Sequence, residues 1–331
     1  MRLDVALDVR ETSHTSAGML AYVRALRAWL PQVAPDLALT EFGSGNNFDL
    51  AEQAGMPLGL LRLQPRLVHF PTPYVPRFIP VPHVVTVHDV IDLEFPQHAK
   101  TKVGPYWRRV IGPVLRSARA VITDDEATVP LLEEYLRVDP ARVRVIPLGV
   151  DAPNGVQSAA RPRPYVFYAG NHRPHKDLAT LVRAWSALPA GMPLDLVLTG
   201  TSEALSATRG DDGELVFAGD CSDTEVWALH RGAVAYVHPA LREGFGLPLL
   251  EAMRAGTPVI AADTALPSVL REFAQAFPPG DTAALRELLI ANAIAGGRDR
   301  EAAERARLAT LHLTWERTAR ATAALYRELI G

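Results

Sequence analysis

The sequence predicts an α/β protein made of two units, each a parallel sheet covered by helices. Three observations carry this reading. Short apolar runs recur along the chain, each bounded by turn residues and followed by helical periodicity. Most of these runs are continuously apolar rather than alternating, as in strands buried on both faces. Between two sets of runs lies "GVDAPNGVQSAARPRP" (149–164), rich in Pro, Gly, Ser and Ala and without apolar periodicity, which reads as a linker.

The first set comprises "LDVALDV" from Leu3, "RLVHFP" from Arg66, "HVVTVHD" from His83, "AVITDD" from Ala120 and "VRVIPLG" from Val143. The second comprises "YVFYAG" from Tyr165, "LDLVLTG" from Leu194, "LVFAGD" from Leu215, "AVAYVHP" from Ala233 and "PVIAAD" from Pro258. Strands alternating with helices read as βαβ units. Several runs end in Gly, Asp or His: His88, Asp89, Gly170, Gly200, Gly219, Asp220 and Asp263. Ligands of open α/β sheets bind at the carboxyl ends of strands. Turn and cap formation is the plainer role of such residues, as in "CSDTEVWALH", where Ser222 and Glu225 form a capping box.

The chain has 331 residues, 48% hydrophobic and 21% charged, an ordinary globular balance. That length suits two domains of roughly 150 residues. A net charge of −3 gives no bulk electrostatic attraction to nucleic acid. One cysteine, Cys221, leaves no internal disulfide and no Cys-based zinc site. No apolar run reaches the roughly 18 residues of a membrane span, and "MRLDVALDVRE" does not resemble a signal peptide. The expectation is a soluble, cytoplasmic protein. No G-x-G-x-x-G follows the first strand, so a Rossmann dehydrogenase is not expected.

Two loops are suited to anions. In "LREGFGLPLLEAMRAGTPVIAAD", from Leu241, two glycines let backbone N–H groups approach a ligand. Pro248 suits the first helical position, and Gly256 with Pro258 ends the helix. The free N–H groups and dipole at that helix start favour phosphate. Glu243 lies in the loop and Glu251 about one turn into the helix. As a hydrolase-like pair they would do proton chemistry; beside a diphosphate they are better used accepting hydrogen bonds from sugar and ribose hydroxyls. Alternatively Glu251 only complements the helix dipole and Glu243 is solvated. The second loop, "GNHRPHKDLATLVRAW" from Gly170, brings His172, Arg173, His175 and Lys176 to another helix start.

These motifs resemble the family 4 glycosyltransferases, retaining enzymes of the GT-B fold, in which two Rossmann-like domains face each other across a cleft. "EGFGLPLLE" resembles the family's E-x7-E signature, and "YAGNHRPHKDLATLVRAW" its G-x-x-x-P-x-K-n-L donor-phosphate loop. "VVTVHDVIDLEFP" is similar to its "HD" segment, "VRVIPLGVD" to its interdomain crossover, and "LTWERTARATAALYREL", with Trp315 and Tyr326, to its C-terminal helix. The resemblance implies an acceptor-side domain over 1–153, onto which a helix at about 314–330 packs back, and a nucleotide-sugar domain over 160–312. It implies that Glu251 binds ribose hydroxyls, that Glu243 contacts the sugar, and that Lys176 binds the diphosphate. Gly244, Phe245, Gly246 and Leu247 line the donor with Asn171 and Arg173. His88 lies under the donor sugar, and Gly18, Tyr22 and Asp89 stand on the acceptor side. The implied catalytic set is His88, Lys176 and Glu243, with no cofactor and no obligatory metal.

The implied reaction moves a hexose, with retention, from a nucleotide sugar to a hydroxyl of a glycan, lipid-linked or small-molecule acceptor. The "PHKD" form of the loop looks most like that of mannosyltransferases, which places GDP-mannose first and UDP-sugars next. Other chemistry on this fold (an epimerase or phosphorylase) and a non-catalytic nucleotide-sugar-binding protein are the alternatives. Three segments depart from the family pattern. Asn171 stands where an Arg is frequent, with Arg173 as its replacement in charge. Leu20 in "GMLAY" occupies the place of a second loop glycine. Asp124 and Asp125 replace a common serine, either to meet a polar acceptor or to cap the next helix. Finally, "KTKVGPYWRRVIGPVLRSARA" (100–120) carries six cationic residues and no acid. It reads either as a peripheral contact to an anionic membrane face or as a solvated helix packed on the sheet.

Overall fold

The computed structural model describes residues 3–331 apart from 13–14, 44, 48, 50, 203 and 296–299. The chain divides into two compact units: Met1–Gly149 with Leu313–Gly331, and Val150–His312.

The first unit holds six parallel strands: β1 (Leu3–Asp8), β2 (Leu37–Phe42), β3 (Leu67–Phe70), β4 (His83–Thr86), β5 (Ala120–Thr123) and β6 (Val143–Val145). Their order is β2-β1-β3-β4-β5-β6. Strands β3, β4 and β5 are buried along their whole length, as continuous apolar runs require. β2 was not expected, because "LALTEF" lies at the sheet edge and only its first residue is buried, which leaves no continuous apolar signal.

The second unit holds β7 (Tyr165–Tyr168), β8 (Asp195–Leu198), β9 (Leu215–Phe217), β10 (Ala235–His238), β11 (Val259–Ala262) and β12 (Gln275–Phe277). Their order is β12-β11-β10-β7-β8-β9, again all parallel. β12, three residues long at the other edge, is the second strand without an apolar signature. Phe167, Tyr168, Trp185 and Tyr236 are fully buried in this unit; burying a large apolar side chain is worth roughly 1.5–3 kcal/mol. In each sheet the chain grows first to one side and then to the other. The reversals fall between β1 and β3 and between β7 and β10.

The expected linker has no regular structure, but it is not free of the second unit. Val156 is buried, Ala159 N–H donates to Ala228 O at 2.8 Å, and Arg231 reaches Val156 O at 2.6 Å. The extended stretch is therefore strapped along the helix Asp223–Gly232. That helix begins with the expected capping box between Ser222 and Glu225.

The final helix, Trp315–Ile330, lies in the first unit. Tyr326 is fully buried and its hydroxyl meets His69 Nδ1 at 2.5 Å. Arg66 donates to Ile330 O at 2.7 Å, and Thr318 to Pro147 O at 2.9 Å. At Gly149 the backbone passes so close to this helix start that an added Cβ would stand 2.1 Å from the Thr314 carbonyl carbon.

Candidate active site

In the second unit the point of reversal lies between β7 and β10, where open α/β sheets bind ligands beyond the strand ends. The loop after β7 forms a short turn, Pro174–Lys176, before the helix Leu178–Ser186. The loop after β10 leads into the helix Leu247–Ala255. The two loops are tied together where Leu241 N–H donates to His175 O at 2.8 Å. Both anion-suited loops of the sequence thus converge on one strand edge.

Gly246 caps the helix Leu247–Ala255 with φ 72°, a left-handed conformation that disfavours side chains. A Cβ there would meet Leu249 Cδ1 at 2.7 Å and Glu243 Cγ at 3.1 Å. Pro248 is the second helical residue rather than the first, a position that equally needs no N–H partner. Gly256 ends the helix at φ 76°. Gly244 and Phe245 are buried, and Leu247 is half-buried.

Glu243 is not solvated. Its carboxylate receives the Lys176 ammonium in a tight ion pair and the His238 Nε2–H at 2.9 Å. His238 in turn accepts at Nδ1 from the Tyr236 hydroxyl, 2.9 Å away. Burial pushes His238 below its ordinary value, so the ring is a neutral donor to the carboxylate. Burial alone would raise the Glu243 carboxyl, but the Lys176 charge and the His238 hydrogen bond outweigh it and hold the group well below the usual carboxylate range. Glu243 is therefore ionised, and the cluster of Lys176, Glu243 and neutral His238 carries no net charge. His238 was not singled out in the sequence; its only signal is its place as the last residue of a buried strand, five positions before Glu243.

The other expected donor residues line the same edge. Asn171 is exposed; its carbonyl accepts from the Tyr168 hydroxyl at 2.7 Å and its side chain from Arg173 N–H at 3.2 Å. The exposed Arg173 supplies charge at the rim. Glu251 is 25% exposed, and its nearest basic atom is Nε2 of the buried His230, at 3.8 Å. Among the described residues its carboxylate is therefore committed to no short ion pair.

In the first unit the named residues also gather at strand ends. His88, two residues past β4, is buried; Nδ1 meets Asp124 Oδ2 at 2.6 Å and Nε2 meets Pro71 O at 3.3 Å. The helix-capping role expected of Asp124 is thereby corrected: the side chain is buried against His88. Asp125 instead accepts from Ala127 N–H at 2.9 Å, just ahead of the helix Thr128–Leu136. Asp89 accepts from Ile91 N–H at 3.1 Å. Gly18 and Leu20 are not in a loop; both lie in the first turns of the helix Ala17–Val33, which Ser16 caps. On the same helix Tyr22 is buried, its ring perpendicular to His88 at 5.1 Å and its hydroxyl 3.3 Å from Thr86 Oγ1.

The basic segment forms a continuous helical run, 103–117, with one wider turn at Trp107–Ile111. There Gly112 N–H bonds Trp107 O, five residues back, and Pro113 has no N–H to offer. Trp107, Ile111, Val114 and Leu115 belong to the core, while Lys100, Lys102, Arg108, Arg109, Arg116 and Arg119 are exposed. Its apolar face is thus spent on packing, and its cationic side chains face outward. Among the described residues no helix is long and apolar enough to cross a membrane, and no group of three or more His, Cys, Asp and Glu is arranged to hold a metal ion.

Two six-stranded parallel-sheet units covered by helices are the architecture of the GT-B fold. A model of glycosyl transferases group 1 matches residues 155–307, and one of glycosyltransferase family 4 matches residues 35–154. Between them they span 35–307, and the chain belongs to this glycosyltransferase family. It is 27% identical over 241 residues to the O-antigen chain mannosyltransferase B of Escherichia coli, a match over 66% of this chain and 63% of that one. It is also 27% identical over 273 residues to the MMP alpha-(1->4)-mannosyltransferase of Mycolicibacterium hassiacum, over 76% and 66% of the two chains. The match thus spans just under two thirds of the length of each relative. Sucrose-phosphate synthase from Thermosynechococcus elongatus shares the fold, with a TM-score of 0.73 at 20% identity and 99% of both chains covered.

Proposed function

We propose that the protein is a retaining, metal-independent glycosyltransferase that moves a hexose from a nucleotide sugar, GDP-mannose first and UDP-sugars next, to an acceptor hydroxyl. The observation that carries the reading is the Lys176–Glu243–His238 cluster at the β7/β10 reversal, beside a glycine-capped helix start. Mannosyl transfer is named in both relatives cited above, which supports the choice of sugar. Lys176 is held by Glu243 until a diphosphate arrives, and then divides its charge between carboxylate and phosphate. Electrostatic stabilisation of the leaving group is what such a prepositioned cation supplies. Glu243, kept ionised by its partners, accepts from sugar hydroxyls, and Glu251 from the ribose. By resemblance His88 meets the donor sugar, and Gly18, Tyr22 and Asp89 lie toward the acceptor, a glycan, lipid-linked or small-molecule hydroxyl.

A ligand that binds only the folded state stabilises it by mass action. In a thermal-shift panel of nucleotide sugars, GDP-mannose is expected to raise the melting temperature most. A panel in which no nucleotide or nucleotide sugar moves it would sink the donor site.

A further inference from the structure

We propose that Asp124 is a positioning residue that holds His88 with Nε2 protonated, making the ring a hydrogen-bond donor to the ligand and removing it as a base. The geometry leaves few choices. Nδ1 is engaged by the Asp124 carboxyl at 2.6 Å, and Nε2 faces Pro71 O at 3.3 Å. A carbonyl only accepts, so Nε2 must carry hydrogen. This holds whether the short Nδ1–Oδ2 bond keeps its proton on the ring or on the carboxyl. Asp124 is almost completely buried, and its Oδ1 has no hydrogen-bond partner within the protein. Among the described residues only His88 hydrogen-bonds the side chain, which makes ring orientation its evident task.

The surroundings agree. Tyr22, from the first helix, stands perpendicular to the ring and stays a neutral phenol, because burial pushes its hydroxyl up. His69, on β3, is held down to about 3 by burial and by the His88 charge, so it does not compete for the proton. Asp89 adds a negative charge beside the ring, and Asp125 another beside Asp124. Burial alone would push His88 down; the Asp124 charge and hydrogen bond outweigh this and hold it above its ordinary value. Burial also pushes the Asp124 carboxyl up, which tightens the sharing of one proton.

The longer of the two contacts, to Pro71 O, is the exchangeable one. A ligand oxygen arriving past the end of β4 replaces the carbonyl and takes the Nε2–H bond. In the proposed reaction His88 then donates to the donor sugar and never accepts the acceptor's proton. That consequence rests on the proposed function; the protonation state does not.

The test uses the full chain labelled with 15N-histidine, with His88 assigned by loss of its signal in His88→Gln. In the unsubstituted protein, Nε2 should remain protonated from pH 5.5 to 8.5. In Asp124→Leu, where the packing volume is kept and the oxygens are lost, the ring should titrate at or below about 6.5, the ordinary value. Turnover should fall about tenfold or more, with little change in donor KM. Asp124→Asn can still donate to Nδ1 and should retain the Nε2–H form and most of the turnover. A Nε2 that is unprotonated at pH 7, or Asp124→Leu with an unchanged ring signal, would overturn the proposal, and the first arm stands even if Asp124→Leu does not fold, because the unsubstituted protein alone can refute it. An unchanged turnover beside an altered ring signal would remove His88 from the donor sugar while leaving the pairing intact.

Discussion

Replacing Lys176 by methionine would strip Glu243 of its ion-pair partner and leave a carboxylate facing the neutral His238. The two side chains are 9% and 17% exposed, so little solvent is available to take over the ammonium's role. Breaking a buried ion pair by removing one partner costs about 3–5 kcal/mol, because the other charge is left uncompensated. Glu243 keeps a hydrogen bond and some exposure, so about 3 kcal/mol is expected for Lys176→Met, and a similar loss for Glu243→Gln, which strands the ammonium. The double variant removes both charges and should recover to within about 1 kcal/mol of the parent, a coupling of several kcal/mol. The assay is urea unfolding followed by tryptophan fluorescence, since Trp185 and Trp227 both report on the second unit. All three variants should lose glycosyl transfer. Single losses below about 0.5 kcal/mol, or strictly additive losses in the double variant, would refute a buried, coupled pair. The pH dependence follows with a definite sign. Glu243 is held below its unfolded value, so its contribution is complete above about pH 4.3 and is lost as pH falls through the folded value. The stability gap between the parent and Glu243→Gln should close on acidification.

Two further outcomes are expected. His69 is depressed to about 3 in the folded state, so stability is full above about pH 6.5 and falls with acidification as the unfolded chain takes up the proton. Between pH 7 and 4.5 this loss is about 2–3 kcal/mol; it should be absent from His69→Gln, so the difference between the parent and variant urea midpoints should change by that amount on acidification, and parallel curves for the two would show that His69 does not titrate this way. Gly149→Ala places a methyl group against the Thr314 backbone. It should cost about 3 kcal/mol or more in the first unit, since backbone cannot rotate away as a side chain can; a melting temperature within 1 °C of the parent would contradict that close approach.

Local chemistry explains what the sequence made readable. The buried central strands announced themselves because apolar residues dominate them, with only an occasional His or Asp at or near a strand end, whereas β2 and β12 lie at sheet edges and carry polar residues that break the pattern. The two anion-suited loops were legible from their glycines, prolines and cations, all within a few positions of one another. Pairings across the sheet were not. Lys176 and Glu243 are 67 residues apart, and His88 and Asp124 are 36 apart, so no spacing rule joins them. Asp124 looked like a cap because it precedes a helix, yet Asp125 alone serves that turn and Asp124 points inward. Gly18 suggested a loop because the family pattern places loop glycines there, but Ser16 caps a helix that already begins at Ala17.

The return of the helix Trp315–Ile330 to the first unit makes the amino-terminal half of the chain the last to be completed. During synthesis, residues 150–312 can form their sheet and close their core while the first sheet still lacks the helix that covers His69 and packs along Ala17–Val33. Domains generally fold in order of emergence, and here that order is inverted for one surface. A stop codon or proteolytic nick near residue 313 would spare the second unit and uncover the first. Damage at the carboxyl terminus would therefore appear as instability at the opposite end of the sequence.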